Sequence, residues 1–303
     1  MANISSSTRV TYPQGATSGL STVLLAKPHG GDPSRLIIVT EETPFHPVDH
    51  TWPDQPADVG TLTVDGTALG VSDVVTGAIQ DGSEELKLDK DIPVKKGADG
   101  WHFVVAHIID AADAAPESLV GQTASFAVDP THRRLLSAAH SACHIAALAL
   151  NKCTAHLWRK DALKDSLGHP NLDQLAMQVS KIKTSESLDH YRFGKSVRKQ
   201  GLDSAAFLEQ IGSVEECMNR QLEDWLKTES SIWIETPHPG LDARRMWHCD
   251  LPDGAANIPC GGTHLNNIKE FSSIRVNFEL LPGVPEVLMH TVPRLGDETT
   301  PST

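Results

Sequence analysis

The chain has 303 residues, 39% of them hydrophobic and 21% charged, enough for a sizeable buried core and, on length alone, about two domains. No run approaches the roughly 20 apolar residues of a membrane span, and MANISSSTRV is not a basic start followed by an apolar core, so no membrane partner and a cytoplasmic location are expected. A formal charge of −13 opposes general nucleic-acid binding unless a local basic patch offsets it, and five cysteines, sparse and odd in number, fit a reducing compartment better than a disulfide framework.

Up to about residue 128 the chain is rich in β-branched residues, Gly and Pro. The runs STVLLAKP, SRLIIVT, VGTLTVDGTALGVSDVV and WHFVVAHIID are broken by turn signals such as Asp65-Gly66 and Asp81-Gly82, which predict antiparallel strands and hairpins. A small β-barrel or sandwich follows, with Ser125–Val128 in its last strand. We place this N-terminal domain at 1–128.

At Asp129-Pro130-Thr131 the texture changes. From His132 to about Trp158 apolar residues recur at helical spacing around an Ala-rich middle, with Asp129 or Thr131 as cap and Pro130 in the first turn. A second helix is predicted across SVEECMNRQLEDWLKTES, where Val214, Met218, Leu222, Trp225 and Leu226 suit one buried face. Strands are predicted at SIWIET, RRMWHC, SIRVNFELL and VLMHTV, and PRLGDETTPST reads as a frayed tail. The second domain, 129–303, is therefore α+β with a mostly antiparallel sheet.

The helix carries HSACH at 140–144. Residues i and i+4 share a helix face, about 5–6 Å apart at Cβ, so His140 and His144 can address one ion, although with 15 histidines in the chain an accidental pair is also expected. CGGTH at 260–264 adds a thiolate and a third imidazole, on a segment whose two glycines predict a loop. Three imidazoles and one thiolate in tetrahedral array select Zn2+ over Mg2+ or Ca2+. The plainer alternative for CGGTH is a Gly turn with a buried Cys and an exposed His.

HxxxH on an Ala-rich helix with CGGTH far downstream resembles the editing domain of alanyl-tRNA synthetase and its free-standing relatives, the trans-editing alanyl-tRNA deacylases. RLLSAAHSACHIAALAL resembles the family's Arg-led helix, HYRFG its central His-Tyr strand, and IPCGGTHLNNIKEF its Pro-Cys-Gly-Gly-Thr-His turn with the following Asn267 and Glu270. TPFHPVDHTWPDQPADVGTL is similar to a segment of the preceding β-barrel, with Gln55, Asp58 and Gly60 keeping the pattern. The resemblance implies an α+β zinc-binding editing domain behind a small β-barrel. It implies zinc ligands at His140, His144, Cys260 and His264, and Gln55, Asp58 and Thr263 as catalytic candidates. The implied substrate is the acceptor end of mischarged tRNA, tRNA(Ala) carrying Ser or Gly, hydrolysed in trans because no synthetase body accompanies the domain. A zinc hydrolase of a small ester or amide, and a non-catalytic zinc-stabilised binding module, are the alternatives.

The chain departs from the family pattern where Pro53-Asp54 replaces Gly-Gly before Gln55-Pro56, and Ile268 and Ser272 replace the expected Thr and Gly. His46, His50, Trp52 and Asp54 thus add bulk and polarity near the expected aminoacyl group. Of the lesser candidates, His248 and Cys249 would face opposite sides of a strand, and Cys143 points away from its histidine neighbours into the core. Basic patches are offered by Arg133 with Arg134, KDALK at 160–164, KSVRK at 195–199, and Arg244 with Arg245.

Overall fold

Six strands close into an antiparallel barrel in the computed structural model, which describes residues 4–110 and 115–296. In chain order they are β1 (Ser18–His29), β2 (Asp32–Thr40), β3 (Gly60–Val64), β4 (Thr67–Gln80), β5 (Trp101–Asp110) and β6 (Thr123–Val128). Around the barrel the order is β3, β6, β1, β2, β5, β4, and β4 pairs back onto β3 to complete the ring. The β3–β4 turn is Asp65-Gly66, with φ of 48° and 73°, the left-handed pair that a two-residue hairpin requires.

Alternation decides which side chains fill the barrel. On β5, Phe103, Val105 and Ile109 join one core with Leu36, Ile38, Leu62 and Phe126. The intervening Val104 and Ala106 join another with Ile37, Val39, Ile79 and Leu86. Burial on both faces explains why WHFVVAHIID reads as an unbroken apolar run. Gly60 has its own reason: a Cβ there would sit 2.2 Å from the carbonyl oxygen of Ala127 on the paired strand.

Beyond the barrel the fold is mixed helix and strand. Helix α1 spans Pro130–Cys153 and is buried almost all round, its alanines 138, 139, 142, 146, 147 and 149 allowing close packing on every side. It stops before the expected Trp158, giving way to a 3₁₀ turn at Ala155–Leu157. Helix α2 (Ile211–Leu226) buries Val214, Met218, Leu222 and Trp225, and Asn219 receives a bond from the Val276 amide and returns one to its carbonyl, at 2.9 Å each. Val276 belongs to a four-stranded antiparallel sheet of Met177–Ile182, Ser187–Arg192, Glu286–Leu295 and Phe271–Leu280, in that spatial order. A three-stranded sheet, Ile232–Glu235, Met246–Leu251 and Gly254–Pro259, precedes CGGTH.

The chain divides into two units. One takes in the residues up to Arg134 with Ile234–Arg245 and Cys260–Thr263, the other Leu135–Trp233, Met246–Pro259 and the residues from His264 on. No helix among the described residues is long and apolar enough to cross a membrane.

Two expectations are corrected. Pro293–Leu295, read as part of a frayed tail, complete the last strand opposite Ile274, Ser273 and Phe271, while 297–303 lie outside the described residues. Cys153 and Cys217, expected to be free, form a disulfide joining the end of α1 to α2 across 64 residues of sequence. Closing a loop of that length removes denatured-state entropy worth about 4 kcal/mol in the chain-entropy account. Alkylation of the unfolded, unreduced protein should therefore label Cys143, Cys249 and Cys260 only, and reduction should expose two more thiols. Five labelled cysteines without reductant would contradict the pairing.

Candidate metal centre

The site starts from the cap of α1. Asp129 Oδ1 accepts the amides of Thr131 (2.9 Å) and His132 (3.0 Å), with Pro130 in the first turn, where a missing N–H costs nothing. Three turns on, His140 and His144 project from one face with ring centroids 4.8 Å apart. His264 brings its ring to 4.4 Å from His140 and 5.1 Å from His144. Its Nδ1 lies 3.2 Å from the hydroxyl of Ser141, which also accepts the Leu265 amide at 3.0 Å. One ligand atom from each of His140, His144, Cys260 and His264 lies within 4.8 Å of the others.

CGGTH is a loop, held at several points. Cys260 N–H donates to Arg245 O at 3.2 Å, and Gly262 N–H points to Cys260 Sγ at 3.4 Å. The Gln55 amide grips Thr263 twice: Nε2 donates to Oγ1 at 2.9 Å, and Oε1 accepts the Thr263 N–H at 3.0 Å. Asn267 and Glu270, motif residues without an obvious chemical role, form a capping box on the 3₁₀ turn Ile268–Glu270 that follows.

Burial sets the protonation of these groups. It pushes His140 down to about 3, and His144 well below the usual imidazole range with His140 adding to the shift, so both rings are neutral near pH 7, the form that ligates. Burial first, then the carboxylates of Asp54 and Asp49, raise the Cys260 thiol, which in the absence of a cation keeps its proton. A bound dication inverts that, since a coordinating thiol is deprotonated. His144 Nε2 is buried with no hydrogen-bond partner, a loss of about 1–3 kcal/mol that a metal ligated there would remove. The donor set and this orphaned nitrogen both fit a metal ion. Trp247, fully buried, sits 5.1 Å from His144 and 6.1 Å from His264, ring to ring. Its contact with the histidines went unforeseen, although RRMWHC was read as a strand.

The other candidates take separate places. Asp58 is buried and its carboxylate is held by Arg133, Nε to Oδ1 at 2.7 Å and Nη2 to Oδ2, with the His46 amide also on Oδ2. Arg133 donates as well to Pro44 O at 2.7 Å, so it is a buried anchor and leaves the list of surface cations. Arg245 leaves it too, lying over the Tyr12 ring and donating to Gly240 O at 2.6 Å. His46 packs edge-on to Tyr12 at 5.0 Å, and His50 Nε2 lies 3.1 Å from Val94 O. On the strand Met246–Leu251, Cys249 is buried while His248 stacks on exposed Trp233 at 4.9 Å, on opposite sides as expected. Cys143 turns from the cluster to Asp189, Sγ to Oδ2 at 3.5 Å. No protein-family model matches the chain, and no curated protein matches it.

Purified protein should carry about one metal ion per chain, lost in a His140→Ala, Cys260→Ala double variant, with Ser141→Ala weakening metal binding about 10- to 100-fold. Unchanged metal content in the double variant would contradict the site. A second prediction concerns Asp189, buried beside Ser180, Ser187 and Cys143. Burial raises its carboxyl to about 7, and nearby Asp173 adds to the rise. A raised carboxyl favours the fold in its neutral form, a contribution full below about pH 4 and lost as pH rises through about 7. Asp189→Asn should therefore gain stability over the parent between pH 5 and 8, on the order of a few kcal/mol in denaturant titrations. A difference flat with pH would contradict this.

Proposed function

We propose that the chain is a zinc-dependent aminoacyl-tRNA deacylase acting in trans, similar to the editing domain of alanyl-tRNA synthetase, that hydrolyses the ester of mischarged tRNA(Ala) carrying Ser or Gly. The observation that carries the reading is the gathering of His140, His144, Cys260 and His264, from two motifs more than a hundred residues apart, to within 4.8 Å. These four side chains would hold the ion, and three nitrogens with one sulfur favour zinc. A bound zinc supplies Lewis acidity toward an ester carbonyl or a water of lowered pKa.

The chain's own residues do the positioning. Ser141, 3.2 Å from Nδ1 of His264, sets that ring and assigns Nε2 as its ligand atom. Gln55 fixes Thr263 by two bonds, so its amide works through the turn and leaves the hydroxyl proton of Thr263 to donate elsewhere. Asp58, engaged by Arg133 and the His46 amide, anchors the segment bearing Asp54 and Gln55. Asp54, in place of a glycine of the family pattern, is a carboxylate whose charge helps raise the Cys260 thiol, and it suits the α-ammonium of an aminoacyl ester.

One feature favours a second reading. Four protein ligands saturate a tetrahedral ion, as in structural zinc sites, whereas catalytic sites keep a position open. Mischarged tRNAs and matching aminoacyl esters without the tRNA body separate the two. Metal-loaded protein should release Ser or Gly from tRNA(Ala) in preference to Ala, and His140→Ala should cut kcat/KM at least about a hundredfold. Turnover of the free esters alone would point to a small-ester hydrolase, and turnover of neither to a zinc-stabilised module without catalysis.

A further inference from the structure

We infer that a ridge formed by Lys160, Lys195, Arg198 and Lys199 is a phosphate-backbone grip for RNA. The chain carries 39 acidic and 26 basic side chains, and several cations are held by a carboxylate, others such as Lys90 and Arg220 by none among the described residues. Lys152 meets Asp253 at 2.7 Å, Lys183 meets Glu186 at 2.8 Å, and Arg275 meets Glu223 at 2.6 Å. The four ridge cations are exposed, and among the described residues none is in an ion pair. Their charge is left for a partner.

The fold collects them. In the helix Lys195–Gln200, positions i, i+3 and i+4 put Lys195, Arg198 and Lys199 on one face, while Val197 is buried. The helix ends on Gly201, whose φ of 116° and lack of a side chain admit a neighbour, since a Cβ there would meet Lys160 Cβ at 3.0 Å. Arg159 N–H donates to Gly201 O at 2.9 Å and ties the 158–160 segment to that helix end. Arg192 and Arg159 flank the ridge, neutralised by Glu286 and Asp203 respectively. The neighbouring carboxylates Asp203 and Asp161 are thus paired with other cations, Asp203 with Arg159 and Asp161 with Lys164 at 4.0 Å.

The ridge is also tied to the metal-bearing helix. Asp189, on the strand Ser187–Arg192, contacts Cys143, which lies between His140 and His144 on α1. From Asp189 to Arg192 the strand advances about 10 Å, and the ridge helix follows at once. A row of unpaired Lys and Arg without interleaved apolar side chains suits phosphates, which need charge and little shape. That the RNA is an aminoacylated tRNA rests on the proposed deacylase reading, but the grip on RNA does not.

The test is tRNA binding by the full, metal-loaded chain, measured by fluorescence anisotropy between 50 and 200 mM salt. Four phosphate contacts, each contributing a slope of about −0.7 to −0.9, should weaken binding about 50- to 150-fold over that range. Changing Lys160, Lys195, Arg198 and Lys199 to Gln should remove most of the affinity and flatten the slope, with metal content and free-ester hydrolysis retained. Affinity and slope unchanged in that variant would overturn the proposal, as would wild-type protein that binds no RNA at any salt or binds anionic lipid vesicles in its place. Ridge-dependent RNA binding without hydrolysis of any mischarged tRNA would uphold the surface and sink the deacylase reading. Hydrolysis of mischarged tRNA indifferent to the four substitutions would do the reverse.

Discussion

Gathering three imidazoles and a thiol within 4.8 Å of one another, with His140 buried and the other three partly so, is the constraint on which the candidate site depends. Each polar group taken out of water without a partner costs about 1–3 kcal/mol, and His144 Nε2 has none. Packing against Trp247, 5.1 Å away ring to ring, does not supply that nitrogen with a partner. A dication does, and the free energy of a structural zinc site, about 10–16 kcal/mol at neutral pH, exceeds the desolvation it must offset. The unpaired His144 nitrogen, unfavourable by itself, becomes favourable as part of a coordination shell.

The surrounding polar residues make sense as consequences. A shell of four ligands needs its loop held still, and the Gln55 amide spends both its oxygen and its nitrogen on Thr263, next to His264. Gln55 is held in turn because Asp58, three residues on, is locked by Arg133 near the start of α1. After His264 the chain is stopped by the Asn267–Glu270 capping box. Much of what stands out in the motifs as polar is therefore spent on backbone position, and Asp58 has both carboxylate oxygens engaged.

What could be read in the sequence was what depends on short spacing. HxxxH follows from helical periodicity, the barrel hairpin from Asp65-Gly66, and the opposite facing of His248 and Cys249 from strand alternation. What escaped depends on distant partners. Arg133 looked like a surface cation because its carboxylate, Asp58, lies 75 residues away, and the Cys153–Cys217 pairing spans 64. The strand Met177–Ile182 lacks clear alternation, with only Ser180 and Ile182 buried, and was not foreseen. Asp189 gave no signal in SLDHYR, because its contacts include Cys143, 46 residues upstream. The disulfide also bears on location, since reducing compartments seldom keep such bonds.

X-ray absorption at the zinc edge, on protein expressed with the metal, tests the central claim most directly. The account predicts a four-coordinate shell with three nitrogen scatterers at about 2.0–2.1 Å and one sulfur at about 2.3 Å, the sulfur vanishing in Cys260→Ser. A shell of nitrogen and oxygen with no sulfur, or a sulfur that persists in that variant, would show that the metal is held by other residues.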